Sequence, residues 1–160
     1  MTHAGPAVAL QYYHTVRPII TSSEAILALF MALAQTSVSQ AFFFSRTFPL
    51  NTREQLLHQL ITNILDHDDD AHMVNGHGKD EPMPDAAAVE RERARELALL
   101  PFDSIEETWF EYFLESGAGR KLRWAKDALV MRRIASGKFA EARATEGLGR
   151  RWALVLDGLR

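Results

Sequence analysis

Cysteine is absent from the 160 residues. That removes disulfides, thiol nucleophiles and cysteine-ligated zinc motifs at once. No stretch approaches the roughly 18 consecutive apolar residues of a membrane-spanning helix. The opening residues, MTHAGPAVALQYYH, lack the basic start and long apolar core of a secretory signal. A strong excess of one charge is missing too. Against 21 Asp and Glu stand 18 Lys and Arg, a formal net charge of -3. This argues against a general nucleic-acid binder, while local basic patches stay open. There is no paired acid–base constellation, nucleophile motif or cofactor fingerprint. The residues therefore point away from an enzyme and imply no cofactor and no small-molecule substrate. Nowhere do apolar and polar residues alternate with period two for long enough to build a sheet.

What the chain does have is helical punctuation. At Pro18, Pro49 and Pro101 a helix pattern ends on a proline, a spacer or two follows, and a capping residue opens the next helix. Thr21 with Glu24, Ser37 with Gln40, Asn51 with Glu54 (or Thr52 with Gln55) and Asp103 with Glu106 stand at capping-box spacing. Asp85 is placed to cap a further helix through Leu100. Such short stops make neighbouring helices antiparallel. The expectation is an all-α fold of stacked antiparallel helix pairs, α-solenoid-like, with about seven to eight helices.

The most amphipathic segment holds Leu56, Leu57, Leu60, Ile61, Ile64 and Leu65 on one face. A second stripe runs Ile105, Trp109, Phe113, with Phe110 and Leu114 beside it. The expected core therefore includes Leu60, Ile61, Ile64, Trp109, Phe113 and Leu129. Glu107, Glu111 and Glu115 form an acidic line at four-residue spacing, expected in water. Gly117 and Gly119 should turn the chain in left-handed or open conformations, and Arg120–Ala135 should form a basic helix stopped by Gly137.

That helix would carry Arg120, Lys121 and Arg123 at its N-terminus, where the macrodipole disfavours cations. The acidic line folded back as a hairpin, near Arg120, Arg123 and Lys126, is one compensation. A phosphate or nucleic-acid contact is the other. The candidate interaction surface is accordingly Arg120, Lys121, Arg123, Lys126, Arg132 and Arg133.

Two stretches depart from the pattern. Residues 7–16 are apolar or aromatic nearly all round, whereas an end helix should have a polar outer face. The expectation is that the chain begins inside a helical domain or that a partner covers this end. Residues 66–85, DHDDDAHMVNGHGKDEPMPD, read as a flexible polar loop within one helical domain spanning 1–160. His67, His72 and His77 with Asp68, Asp69 and Asp70 are potential ligands for a divalent metal. Their spacing matches no helical face and no zinc motif, so no metal site is assigned.

Several ordered blocks carry a family resemblance: QYYHTVRP, TSSEAI, SVSQAFFFSRTFP, TREQLLHQLI, LALLPFDSIEETWFEYFLESGAGRKL and AKDALVMRRIASGKF. Together they resemble the helical domain of the ELYS-like nuclear pore assembly family in its fungal form, the C-terminal part of that domain. The resemblance implies a partial ELYS-like domain acting as a non-enzymatic scaffold. It would associate with the nucleoporins of the Y-shaped scaffold complex, support pore assembly, and reside in the nucleus at the nuclear envelope. A generic helical-repeat adaptor and, behind it, a nucleic-acid-binding helical domain are the competing readings. Co-purifying proteins separate the first two, and a salt-dependent gel shift isolates the third.

Overall fold

The computed structural model describes residues 5–16, 19–66 and 86–159. Among the described residues there are nine α-helices and no strand. Pro18 and the His67/His72/His77–Asp68/Asp69/Asp70 group lie outside them. By their contacts the residues gather into two compact units, Met1–Leu60 and Ile61–Arg160.

The first unit holds α1 (Pro6–Val16), α2 (Ser23–Thr36), α3 (Val38–Ser45) and most of α4 (Leu50–Leu65). Ser37 caps α3 as its spacing predicts, accepting from the backbone N–H of Gln40. The other two caps differ. Helix α2 begins one residue after Ser22, which makes no side-chain cap bond, so Thr21 lies outside the cap. Helix α4 begins at Leu50, and Arg53 N–H donates to the Pro49 carbonyl. Proline at this position fixes φ before the first turn and has no N–H to leave unpaired, so the helix starts ahead of Asn51.

The apolar faces follow the periodicity. Leu56, Leu57, Leu60, Ile61, Ile64 and Leu65 on α4 are all buried, as are Leu29, Phe30, Ala32, Leu33 and Ala34 on α2. Helix α1 buries Leu10 and sets Tyr13 edge-on against Phe44, with ring centroids 5.9 Å apart. Its Val8, Tyr12 and Val16 face outward. The Phe42–Phe43–Phe44 run splits: Phe42 and Phe44 enter the core and Phe43 is half exposed.

The second unit holds α5 (Ala86–Ala98), α6 (Ser104–Glu115), α7 (Ala125–Ala135), α8 (Phe139–Arg143) and α9 (Arg150–Gly158). Asp103 and Glu106 form the full capping box. Asp103 Oδ1 accepts from the N–H groups of Ile105 and Glu106, and the Asp103 N–H donates to Glu106 Oε2 at 2.9 Å. Closing the box draws Glu106 inside, and this rotates the buried face of α6. Glu106, Phe110, Phe113 and Leu114 are buried, while Ile105 is exposed and Trp109 only partly covered. The expectation of an enclosed Trp109 is thereby corrected. The cap residue sets the helix phase one position away from the most aromatic stripe.

Beyond α6 the chain does not form the expected single helix from Arg120 to Ala135. It makes a 3-10 turn, Ala118–Lys121, goes extended at Leu122, and starts α7 only at Ala125. Neither Gly117 nor Gly119 is left-handed; among the described residues the glycines with positive φ are Gly137 and Gly147. Gly119 is needed for space. A Cβ there would lie 2.5 Å from two ring carbons of Phe113. We expect Gly119→Ala to cost about 1–3 kcal/mol by overpacking. Gly158→Ala, whose Cβ meets nothing within 4 Å, should show no loss. Parallel urea titrations check the pair, and equal midpoints would mean the Phe113 ring yields freely.

The break at Leu122 also resolves the charge problem. Arg120, Lys121 and Arg123 no longer sit in the first turn of an α-helix, and in the first turn of α7 Lys126 stands beside Asp127, whose sign the dipole favours. At the other end Gly137, with φ 74°, stops α7. Lys138 N–H reaches back to the Arg133 carbonyl and Gly137 N–H to that of Ile134, the paired bonds of a left-handed helix stop. Helices α8 and α9 close over Val130, Ala142 and Leu156, with Ile134, Leu148 and Trp152 packed around them.

Candidate functional site

The six basic residues singled out in the sequence part into two groups. Arg132 and Arg133 are buried, at 9% and 5% exposure. Arg120, Lys121, Arg123 and Lys126 are exposed. The inward pair meets the acidic line of α6, which is therefore not free in water. Arg132 Nε donates to both Glu107 oxygens, at 3.0 and 2.9 Å. Its Nη1 donates to the carbonyls of Ala98 and Leu100, and its guanidinium carbon lies 4.6 Å from the Phe102 ring centre. Arg133 donates to Thr145 Oγ1 and to Glu115 Oε1, both at 3.0 Å, with Glu111 at 3.6 Å. Lys138 Nζ donates to Glu111 Oε1 at 2.6 Å.

The expected partners of the acidic line were Arg120, Arg123 and Lys126. The partners in the structure are Arg132, Arg133 and Lys138. The reason is positional. In an antiparallel hairpin the start of α6 faces the end of α7, where cations also suit the helix dipole. This accounts for Glu107 with Arg132, while Arg133 also reaches Glu115 at the far end of α6. Arg120 pairs instead with Glu146, at 3.3 Å with both side chains well exposed. The Lys138 ammonium is held above its usual 10.5 chiefly by the Glu111 hydrogen bond, and burial opposes this shift. This lattice locks α5, α6, α7 and α8 together and is structural in character.

A cavity of about 260 Å³ lies along this line, among Glu107, Glu111, Glu115 and Lys138, and two others lie elsewhere in the same unit. Between α5, α7 and the start of α9 is a cavity of about 620 Å³. Its floor is Ala94, Ala128 and Met131, exposed Ala88 lies at its edge, and its walls include Trp124 and Trp152. Arg91, Arg95 and Arg151 stand on its margin with Glu92. A second cavity of about 300 Å³ adjoins it, sharing Asp127, Gly149 and Trp152 and bordered by Arg120, Arg123 and Lys126. Asp127 Oδ1 accepts from the Trp152 indole, fixing the ring between the two. Trp124 Nε1 is buried with no hydrogen-bond partner. Sequence reasoning found the exposed cations and missed the groove, because α5 and α9 are far apart in the chain. The described residues contain no cluster of His, Asp or Glu able to hold a metal ion, and no described helix is long and apolar enough to cross a membrane.

A family model matches residues 1–117: ELYS, described as nuclear pore complex assembly. The chain belongs to the ELYS family. The match takes in α1 through α6 and ends at Gly117, one residue before the 3-10 turn. The ELYS role is nuclear pore complex assembly, and the ELYS family is a structural one. Among curated proteins and among solved structures nothing matches the chain. The matched residues include the Pro101 corner, with Asp103, Glu106 and Glu107, while Arg132, Arg133 and most of the groove come from the chain after the match. The resembling block around Met131–Phe139 likewise lies beyond it.

Proposed function

We propose that this chain is a non-enzymatic scaffold module that associates with nucleoporins of the Y-shaped complex and supports assembly of the nuclear pore at the nuclear envelope. The ELYS family match over residues 1–117 carries the reading. The structure supports it in kind. Helices packed in pairs, with an interior ion-pair lattice and an open apolar groove, suit a rigid element that offers surfaces to other proteins. Fluorescent tagging should put the chain at the nuclear rim, and affinity capture should recover scaffold nucleoporins. A diffuse signal together with capture of no nucleoporin overturns the proposal. The exposed cluster Arg120, Lys121, Arg123 and Lys126 is the observation behind a nucleic-acid reading. Failure of a duplex DNA to shift at about 0.15 M salt removes that reading.

A further inference from the structure

We propose that the groove between α5, α7 and the start of α9 seats an acidic amphipathic helix of a partner protein. The scaffold reading supplies only the source of that partner; the groove argument stands on this unit's own residues.

Charge makes the argument. Six cations border the two joined cavities: Arg91, Arg95 and Arg151 on one, Arg120, Arg123 and Lys126 on the other. Arg120 already pairs with exposed Glu146, and Arg91 and Arg123 have interactions of their own, so the weight rests on Arg95 and Arg151. The acids lining them are Glu92 and Asp127. Glu92 touches Arg95 only at 3.7 Å with both side chains largely in water, a contact that offsets little. Asp127 is engaged with Trp152. The whole chain carries a formal net charge of -3, so this basic margin runs against the average of the molecule.

The floor decides between anionic ligands. Alanines and a methionine between tryptophan walls make a trough that accepts aliphatic side chains, the arrangement in which a helix lays its apolar face into a groove. A nucleic acid brings phosphates but no such side chains. Carboxylates flanking the apolar face of a partner helix would meet Arg95 and Arg151, and arginine suits this by its planar fork of donors.

The test uses the full chain and two labelled helical peptides with identical leucines at i, i+3 and i+7. One carries Glu at the flanking positions and the other Gln. Anisotropy and tryptophan emission report binding. The Glu peptide should bind about tenfold more tightly, and the difference should shrink with salt. Arg95→Glu with Arg151→Glu should weaken the Glu peptide about tenfold, through side chains that lie in solvent. Ala88→Trp, at an exposed alanine, should block both peptides while circular dichroism stays that of wild type. Equal affinity for the two peptides overturns the proposal. So does tighter, competing binding of duplex DNA, or self-association in sedimentation that Ala88→Trp abolishes. A parallel capture from nuclear extract separates this inference from the scaffold reading. Nucleoporins retained by wild type and lost by Ala88→Trp support both. Retention by both chains keeps the scaffold reading and overturns the groove. Capture by neither overturns the scaffold reading, and the peptide titration still decides the groove.

Discussion

Arg132→Ala should destabilise the second unit by about 3–5 kcal/mol, the range for breaking a buried ion pair by removing one partner. Arg132 is the point at which three elements meet. It grips Glu107 of α6 through both carboxylate oxygens, takes up the carbonyls of Ala98 and Leu100 where α5 ends, and covers the Phe102 ring. Those carbonyls lie just before Pro101, beyond which no helix continues to satisfy them. Truncation strands the Ala98 carbonyl, leaves that of Leu100 with the Phe102 N–H alone at 2.9 Å, and leaves Glu107 to Lys138 at 3.7 Å and Ser136 at 3.3 Å. All three tryptophans, Trp109, Trp124 and Trp152, belong to this unit, so their fluorescence in a urea titration reports it. Arg132→Lys keeps the charge and loses the fork, and should fall between. Lys121→Ala, an exposed cation, should stay within about 0.5 kcal/mol of wild type. If Arg132→Ala melts with the wild type, the α5–α6 corner holds without its arginine and the lattice is ornamental to stability.

The helices themselves were legible because their signals are local. Ser37 and Asp103 cap where their spacing says, and Gly137 stops α7. Helix α4 starts ahead of its spaced cap because Pro49 sets the first turn, and α2 takes Ser22 rather than Thr21 as its cap residue. The direction of the charges was not read, although a signal existed. Ala125, Ala128, Leu129, Arg132 and Arg133 stand at i, i+3, i+4, i+7 and i+8, the pattern of a buried stripe, and all five are buried. Arginines in phase with an apolar stripe, opposite a glutamate line on the preceding helix, belong to the interior. Arg120 and Arg123 are out of that phase; Lys121, four residues before Ala125, is in it but stays in solvent because the helix does not run back through Leu122. The groove had no such signal, since it exists only once α5, α7 and α9 are brought together.

In the first unit the same chemical change at three consecutive residues should give very different costs. Phe42→Ala should destabilise by about 3–5 kcal/mol, because the ring is fully enclosed and its removal leaves a cavity as well as losing transfer energy. Phe42 is 0% exposed, and the guanidinium carbon of Arg46 lies 4.4 Å from its ring centre. Phe44, at 8%, also packs edge-on with Phe48 at 5.1 Å and with Tyr13, so Phe44→Ala should cost slightly less than Phe42→Ala. Phe43 is 50% exposed, and its truncation should cost about 1 kcal/mol. The three tryptophans lie outside this unit, so far-UV circular dichroism during thermal unfolding is the readout. Helix propensity changes alike at all three positions, so the differences isolate burial. A Phe43→Ala loss as large as that of Phe42→Ala would show that the outward ring is covered in solution, and a sedimentation run on the same sample would tell whether a second copy covers it.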